Sequence, residues 1–322
     1  MEHLTGSEAD LARLYAPRSV AVVGASARPG ALSWWPLHLL RRYGFPGGIH
    51  PVNPGRDEID GLRCHPSIGE VPGTVDVAVV VLNAERTPAA VRECADAGVG
   101  VVVLPTQGLG ELSEDGRAIE REMIAYARAR GMRIAGPNTD GTASPATGLM
   151  ATIQPIFGEG IEPGPVAVVA QSGATAASIV RRLKDAGIGC RYYTSTGNEV
   201  DLGMEDHLSY VLQDPEVRMV VSFVESIRRP DAFLAVADLA DRLGKPIVLV
   251  KVGRSDVGAR RAAAHTGALA GEDRIYDAVF QSAGVIRVSE LSELVAVARL
   301  HLAAGGLRAP GVGIVSVSGG QA

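Results

Sequence analysis

One histidine, His265, lies in the run Arg261-Ala-Ala-Ala-His265-Thr-Gly-Ala-Leu-Ala-Gly271, where nearly every neighbour is small. A histidine attacks a phosphoryl group with one ring nitrogen when an acceptor holds the other nitrogen and fixes the tautomer. Glu225 ends the strand-like run RMVVSFVE and is placed to be that acceptor. The two residues therefore predict phosphoryl transfer through His265. The alternative for His265 is a solvent-exposed loop histidine without a catalytic role.

A second feature is the stretch Gln171-Ser172-Gly173, which follows the apolar run VAVVA and precedes a helical pattern. The free N–H groups of a helix's first turn and the Ser172 hydroxyl would converge there on an anion. The loop STGNE at 195–199 resembles it and should lie at the same sheet edge. The predicted phosphate-binding residues are Gln171, Ser172, Gly173, Gly197 and Asn198. The alternative for Ser172 is a simple helix N-cap.

A third feature is the glycine-containing turn at 24–30, GASARPG, which departs from the dinucleotide pattern G-x-G-x-x-G. The next strand ends in Val52-Asn53-Pro54-Gly55-Arg56, without the acid that would bind a ribose hydroxyl. A nicotinamide-dependent oxidoreductase is therefore disfavoured, and coenzyme A fits better. The turn and a helix N-terminus would hold its diphosphate, and Arg56 would meet its additional phosphate. A purely structural turn and a solvated surface arginine are the alternatives.

The elements that would position these residues are two series of short β-branched runs separated by helical patterns. The first series is SVAVVG, GIHPVN, DVAVVVL, GVVVLP and MRIAGP, and the second is VAVVA, CRYYTS, RMVVSFV, PIVLV and VIRV. Continuous apolar runs are typical of strands buried on both faces of a parallel sheet. We expect an α/β protein with a Rossmann-like CoA-binding domain at 10–145 and a flavodoxin-like doubly wound domain at 146–306. The Gly/Pro-rich stretch 145–165 is expected to be a linker or functional loop, and 307–322 the beginning of a further, truncated domain.

Composition excludes several classes of function. The chain has 322 residues, 46% of them hydrophobic and 21% charged, and a formal net charge of -5. That balance offers no basic field for nucleic acid. The three cysteines have neither CxxC nor Cys/His metal spacing, which predicts free thiols and no metal site. The N-terminus has no signal-peptide pattern, and no apolar stretch is long enough to span a membrane, so we expect a cytoplasmic protein.

The ordered motifs resemble the α portion of the NDP-forming acyl-CoA synthetases, the superfamily of succinyl-CoA synthetase and the ADP-forming acetyl-CoA synthetases. The similar segments are VAVVGAS (20–26), VNP (52–54), GPN (136–138), QSG (171–173), STGNEVD (195–201) and HTGALAG (265–271). The resemblance implies that His265 is the phosphohistidine, that Glu225 holds it, and that Asn138 lies in the substrate site. It places CoA at Gly24, Ala25, Ser26, Arg28, Pro29, Asn53, Pro54, Arg56, Leu82, Asn83, Thr106 and Gly108.

The resemblance also implies a reversible reaction of acyl-CoA, phosphate and ADP through an acyl phosphate and a phosphohistidine. ATP, ADP and Mg²⁺ would bind on an ATP-grasp subunit or domain outside this sequence, and we expect an oligomer. The family's usual loop residues are replaced by Leu82-Asn83, by Thr106 to Leu109 and by Ala264, which leaves the carboxylic acid open. The alternative function is a CoA-binding regulatory or interaction module without turnover. The presence of both His265 and Glu225 disfavours it, because a binding module needs neither.

Overall fold

The computed structural model describes residue 6 and residues 8–253 and 273–304. His265 and the expected start of a further domain at 307–322 lie outside the described residues. None of the described helices is long and apolar enough to cross a membrane. Cys64, Cys94 and Cys190 are buried free thiols. Within the described ranges, no group of three or more His, Cys, Asp or Glu side chains is placed to hold a metal ion.

The first domain is built on a five-stranded parallel sheet in the order β2-β1-β5-β6-β7. Its strands are β1 (Ser19–Val23), β2 (Gly48–Val52), β5 (Val77–Val80), β6 (Val101–Val103) and β7 (Arg133–Ala135), and β3 (Glu58–Ile59) pairs with β4 (Leu62–Arg63) in a separate hairpin. The helices are α1 (Glu8–Tyr15), α2 (Trp35–Arg42), α3 (Thr87–Asp96) and α4 (Glu114–Ala129), with a 3-10 turn at Ile68–Glu70.

The second domain is built on a seven-stranded sheet in the order β14-β13-β12-β10-β11-β8-β9. Its parallel strands are β10 (Val166–Ala170), β11 (Cys190–Ser195), β12 (Met219–Val224), β13 (Ile247–Lys251) and β14 (Ile286–Val288). Its described helices are α5 (Gly173–Asp185), α6 (Met204–Gln213), α7 (Pro230–Arg242), α8 (Asp273–Ser282) and α9 (Leu291–Ala304).

Counted within each sheet, the parallel strands follow the order 2-1-3-4-5 in both domains. In open α/β sheets of this order, ligands bind at the carboxyl edge where the strand order reverses. The predicted α/β fold class, with two successive doubly wound domains, is confirmed. The valine-rich strands are buried on both faces, as the continuous apolar runs indicated.

The interpretation of 145–165 as a linker or functional loop was wrong for residues 149–152, which form a strand of the second sheet. Strands β8 (Gly141–Ser144) and β9 (Leu149–Thr152) form an antiparallel hairpin, and β8 pairs antiparallel with β11 at the edge of the second sheet. A 3-10 turn at Pro155–Glu159 follows. The glycines and prolines of this stretch are typical of loops, so the sequence did not indicate strand β9, whose four residues are all buried. The exact domain limits at 145 and 306 stay predictions.

The two domains pack through a continuous hydrophobic core. One cluster of buried side chains contains Val79 and Val103 of the first sheet together with Ala143 and Val168 of the second. Helix α1 contacts α6, β8 and β6 and so lies against both sheets. Its Tyr15 hydroxyl hydrogen-bonds the Thr194 hydroxyl oxygen at 2.9 Å. The loops at the carboxyl edges of the two sheets are therefore held in a fixed relation to each other.

Candidate functional site

A groove of about 980 Å³ lies at the carboxyl edge of the first sheet, at the ends of β1, β2 and β5. Five residues predicted to contact CoA are among those that line it: Gly24, Asn53, Pro54, Leu82 and Asn83. These residues follow three different strands. The groove therefore occupies the point where the strand order of this sheet reverses, as the rule for open α/β sheets predicts.

Gly24 is the residue at which the first strand turns into the groove. Its φ is +82°, and a Cβ there would lie 2.6 Å from the Val81 carbonyl oxygen. The Gly24 N–H donates to the Val52 carbonyl at 2.9 Å, which joins the turn to the end of β2. Only glycine combines this backbone conformation with so close an approach to the neighbouring strand.

Asn53 fixes the same turn from the other side. Its Nδ2 donates to the Ala25 carbonyl at 2.9 Å, and its Oδ1 accepts the Gly55 N–H at the same distance. The side chain therefore has a structural role beside the predicted contact with CoA. Asparagine suits this position because one amide supplies both a donor and an acceptor.

The other residues predicted to contact CoA lie outside the described lining of the groove. Thr106 is buried, and its Oγ1 lies 2.9 Å from the Thr87 Oγ1 and donates to the Leu82 carbonyl, so it supports the groove from behind. The remaining residues outside the lining are Ala25, Ser26, Arg28, Pro29, Arg56 and Gly108. Helix α2 begins only at Trp35, with Pro36 in its first turn, and not directly after the glycine turn. The segment Arg28-Pro29-Gly30 lies in the loop between the glycine turn and helix α2.

Arg86 is a groove residue that the sequence analysis missed. It lies just before α3 and is the basic side chain among the described residues that line the groove, beside the acids Glu85 and Glu93. The available signal was an arginine placed directly before Thr87-Pro88, a typical start of a helix. Arg86 is exposed, so nothing in the apolar pattern of the sequence distinguishes it from other surface arginines.

A second, much smaller cavity of about 30 Å³ lies at the carboxyl edge of the second sheet. It brings together five of the predicted residues: Asn138, Gln171, Gly197, Asn198 and Glu225. Ser226 and Arg228 complete its lining, and neither was singled out in the sequence. Arg228 is exposed and follows Glu225 by three residues, which was the only signal for it. The cavity is thus formed by polar loop residues from the ends of β7, β10, β11 and β12.

Ser172 and Gly173 are not in the lining of this cavity and instead begin helix α5. The Ser172 Oγ accepts the Thr175 N–H at 3.3 Å, so Ser172 is the helix N-cap. Ser172 therefore has the N-cap role that the sequence analysis gave as the alternative to phosphate binding. The positive end of α5 still lies directly after Gln171, which lines the cavity.

The loop at 195–202 is shaped by contacts with the first domain. The Asn198 N–H donates to the Pro137 carbonyl at 2.9 Å, and Gly197 has a φ of +63°. A Cβ on Gly197 would overlap the same Pro137 carbonyl. Asp201 accepts two hydrogen bonds from the Arg133 guanidinium, at 2.8 and 3.0 Å. These two hydrogen bonds make the ion pair between the two domains bidentate. Both Asp201 and Arg133 are buried, so the pair is shielded from water.

Asn198 links three loops through its side chain. Its Oδ1 accepts from the Asn138 Nδ2 at 3.2 Å, and its Nδ2 donates to the Glu111 Oε1 at 2.8 Å. The other oxygen of Glu111 accepts the Leu109 N–H at 2.8 Å. The loop after β6, which carries Thr106 and Gly108, is thereby connected to the cavity of the second domain.

Glu199 is a half-buried acid of the same loop that the sequence analysis did not assign. Its φ is +54°, and its Oε1 accepts from the Thr196 Oγ1 at 2.7 Å and from the Met204 N–H at 3.2 Å. Burial, and then the neighbouring Glu205, raise the pKa of Glu199 to about 7. The hydrogen bond from Thr196 opposes that rise.

Comparisons with known proteins agree with this architecture. Residues 18–144 match the family model of a CoA binding domain, and residues 163–301 match that of a succinyl-CoA ligase like flavodoxin domain. The chain is 38% identical over 287 residues to the alpha subunit of ADP-forming acetate–CoA ligase I from Pyrococcus furiosus, which covers 88% of this chain and 61% of that protein. The chain belongs to the NDP-forming acyl-CoA synthetases. It corresponds to their α portion.

Two further relatives have different names and lengths. A trans-feruloyl-CoA synthase from an unidentified prokaryote is 36% identical over 319 residues, covering 97% of this chain and 45% of its own length. A solved structure of the dinucleotide forming acetyl-coenzyme A synthetase 1 of Ca. Korarchaeum cryptofilum, in complex with phosphate and ADP, superposes with a TM-score of 0.82 at 35% identity, covering 88% of this chain and 61% of that one. The α portion described here thus spans about three fifths or less of the length of these relatives.

Proposed function

We propose that this chain is the α portion of an ADP-forming acyl-CoA synthetase, which interconverts acyl-CoA, phosphate and ADP with a carboxylic acid, CoA and ATP. The observation that carries the proposal is the polar cavity that joins Glu225 to Asn138 and Asn198 at the carboxyl edge of the flavodoxin-like sheet. A CoA-sized groove opens at the same edge of the first sheet. Membership of the family supplies the reaction class.

The reaction divides into three reversible steps. A phosphate oxygen attacks the thioester carbon, the carbon–sulfur bond breaks, and an acyl phosphate and free CoA form. A ring nitrogen of His265 then attacks phosphorus, the bond between phosphorus and the acyl oxygen breaks, and the carboxylate leaves. The phosphohistidine finally transfers its phosphoryl group to an oxygen of ADP and gives ATP.

Each charged group of the cavity has a role in this scheme. Glu225 accepts the N–H of the other His265 nitrogen, which fixes the tautomer and stabilises the positive charge that develops on the ring. The first-turn N–H groups of α5 and the Arg228 guanidinium stabilise the negative charge of the transferring phosphoryl group. Arg86 and the backbone of the glycine turn hold the phosphates of CoA in the first groove.

The carboxylic acid is not fixed by overall similarity, because relatives named for acetate and for trans-ferulate have nearly the same identity to this chain. The departures at Leu82-Asn83 and Thr106 to Leu109 fall on loops next to the groove, where the acyl group would leave CoA. We propose that these loops select the acid. No metal is assigned to the α portion, and Mg²⁺ would enter with the nucleotide on an ATP-grasp unit.

CoA is expected to bind to the isolated chain, and NAD is not, because the groove lacks an acid at the end of β2 for a ribose hydroxyl. Titration calorimetry with each ligand checks this.

Gly24→Ala should abolish CoA binding, because its Cβ would clash with the Val81 carbonyl. Gly98→Ala is the matched control: its φ is also positive, at +75°, but nothing lies near its Cβ. NAD binding without CoA binding would overturn the assignment of the first domain.

ATP formation is expected only when an ATP-grasp subunit of the family is present with this chain. We propose that ADP binds on that subunit, so the 322-residue chain alone should accept phosphate on His265 but should not pass it to ADP. Incubation with acetyl-CoA, labelled phosphate and ADP, with and without such a subunit, measures both products. ATP made by the purified chain alone, with contaminating kinases excluded, would contradict the proposal that ADP binds on a separate subunit.

A further inference from the structure

We propose that Gln171 is a positioning residue that holds Glu225 in place, rather than a ligand of phosphate. The inference rests on the proposed function, because it gives Glu225 the role of holding His265. It differs from the sequence-based prediction, which counted Gln171 among the residues that bind phosphate.

The position of Gln171 in the sheet explains why it can act in this way. Strand β10 lies between β12 on one side and β11 on the other. Gln171 follows the last residue of β10, whereas Glu225 follows β12 and the loop with Glu199 follows β11. A side chain at the end of β10 is therefore close enough to contact the residues that follow β12.

On the β12 side, the Gln171 amide binds the backbone that carries Glu225. Its Oε1 accepts the N–H of Glu225 at 2.6 Å and the N–H of Ser226 at 3.0 Å. Its Nε2 donates to the Ser226 carbonyl at 2.8 Å. These three hydrogen bonds fix the backbone from which the Glu225 side chain extends into the cavity.

The hydrogen-bonding groups of the Gln171 amide are mostly used by this backbone. A glutamine amide has two acceptor sites on its oxygen and two N–H groups on its nitrogen. The N–H groups of Glu225 and Ser226 occupy both acceptor sites, and the Ser226 carbonyl accepts from one of the two N–H groups. The Gln171 backbone N–H donates to the Phe223 carbonyl at 3.1 Å. The amide is therefore directed at residues 225 and 226.

Burial makes the arrangement specific. Only 8% of Gln171 is exposed, so little of its side chain is open to a phosphate ion. The buried amide is surrounded instead by the backbone that it binds at residues 225 and 226.

The test compares phosphorylation of His265 in wild type, Gln171→Met and Gln171→Glu. Methionine matches the length of glutamine but makes none of these hydrogen bonds. Glutamate keeps acceptors for the two N–H groups but faces the Ser226 carbonyl without a donor. We expect both variants to lower the maximal labelling rate by about 10- to 100-fold, as loss of an orienting partner does at other sites. The phosphate concentration for half-maximal rate should change less than twofold.

A double-mutant cycle with Glu225→Gln separates the two roles of Gln171. If Gln171 acts through Glu225, Gln171→Met should slow labelling little further in the Glu225→Gln background. Full additivity, or a tenfold rise in the phosphate concentration for half-maximal rate, would overturn the proposal. Gln213→Met is the matched control, because Gln213 is exposed on α6 and bonds only locally, to the Ser209 carbonyl.

A measurement that needs no activity tests the geometry separately. Amide hydrogen exchange at Glu225 and Ser226 should accelerate at least tenfold in Gln171→Met and stay unchanged in Gln213→Met. Unchanged exchange in Gln171→Met would refute the positioning role even if labelling falls. Absence of labelling in wild type, together with accelerated exchange in the variant, would reject the proposed reaction and leave the positioning of residue 225 supported.

Discussion

Replacement of His265 by alanine is expected to abolish covalent labelling of the chain by acetyl-CoA and labelled phosphate. The imidazole is the proposed nucleophile, and alanine offers no atom that can hold the phosphoryl group. The neighbours of His265 in the sequence are small, so the ring has little to pack against and its loss should leave folding intact. Autoradiography and intact mass measure the label, and circular dichroism checks the fold.

The control for His265→Ala is His301→Ala. His301 lies on α9 and lines a separate cavity of about 230 Å³, where β13 and β14 begin, at the edge opposite Glu225. This variant should retain full labelling. A phosphohistidine is also labile in acid, unlike phosphoserine, so label on the wild type should disappear on acid treatment. Acid-stable label, or label that persists in His265→Ala, would place the phosphoryl group on another residue.

The strands of both domains were predictable because their burial is uniform. In the runs SVAVV and VAVVA, every residue or nearly every residue is buried. A continuous apolar run indicates a strand that is covered on both faces. The hairpin of β8 and β9 was not predictable by the same rule. Its residues include Gly141, Thr142 and Ser144, which are buried but polar or small, so the sequence there resembles a loop.

The residues of the second cavity were predictable because they follow strand ends. Parallel strands bring their carboxyl ends to one edge, and polar residues directly after them, such as Asn198 and Glu225, meet there. The role of an individual residue was not predictable in this way. The partners of Gln171 depend on β12 lying beside β10 in the sheet, and the chain order of the strands does not contain this pairing.

The side-chain contacts that connect the two domains could not be predicted from the sequence either. Glu111 and Asn198 are far apart in the chain, yet their side chains hydrogen-bond and join the loop after β6 to the second cavity. Asp201 and Arg133 of β7 make a second, buried connection between the two domains. In each case the partner is a common charged residue that no local pattern distinguishes. The loops expected to contact the acyl group and the phosphate are thereby held together before any ligand binds.

The conservative substitution Glu225→Gln is expected to slow phosphorylation of His265 by about 10²- to 10⁴-fold, the range for neutralising the carboxylate that orients a catalytic histidine. Glutamine matches the size of glutamate and can still accept a hydrogen bond. It has no charge to stabilise the positive ring that forms as the phosphoryl group transfers, and its amide can also select the wrong tautomer. Rapid quench of the labelling reaction measures the rate.

CoA affinity should be unchanged in Glu225→Gln, because the CoA groove is lined by loops of the first sheet and Glu225 lies at the end of β12. Glu216→Gln is the matched control. Glu216 is exposed in the turn that precedes β12, so the same chemical change is made at the opposite end of the same strand. Equal labelling rates in wild type and Glu225→Gln would remove Glu225 from the site. A rate lost together with CoA affinity would instead indicate that the fold had been damaged, since only a selective loss of rate fits a carboxylate whose task is to hold the His265 ring.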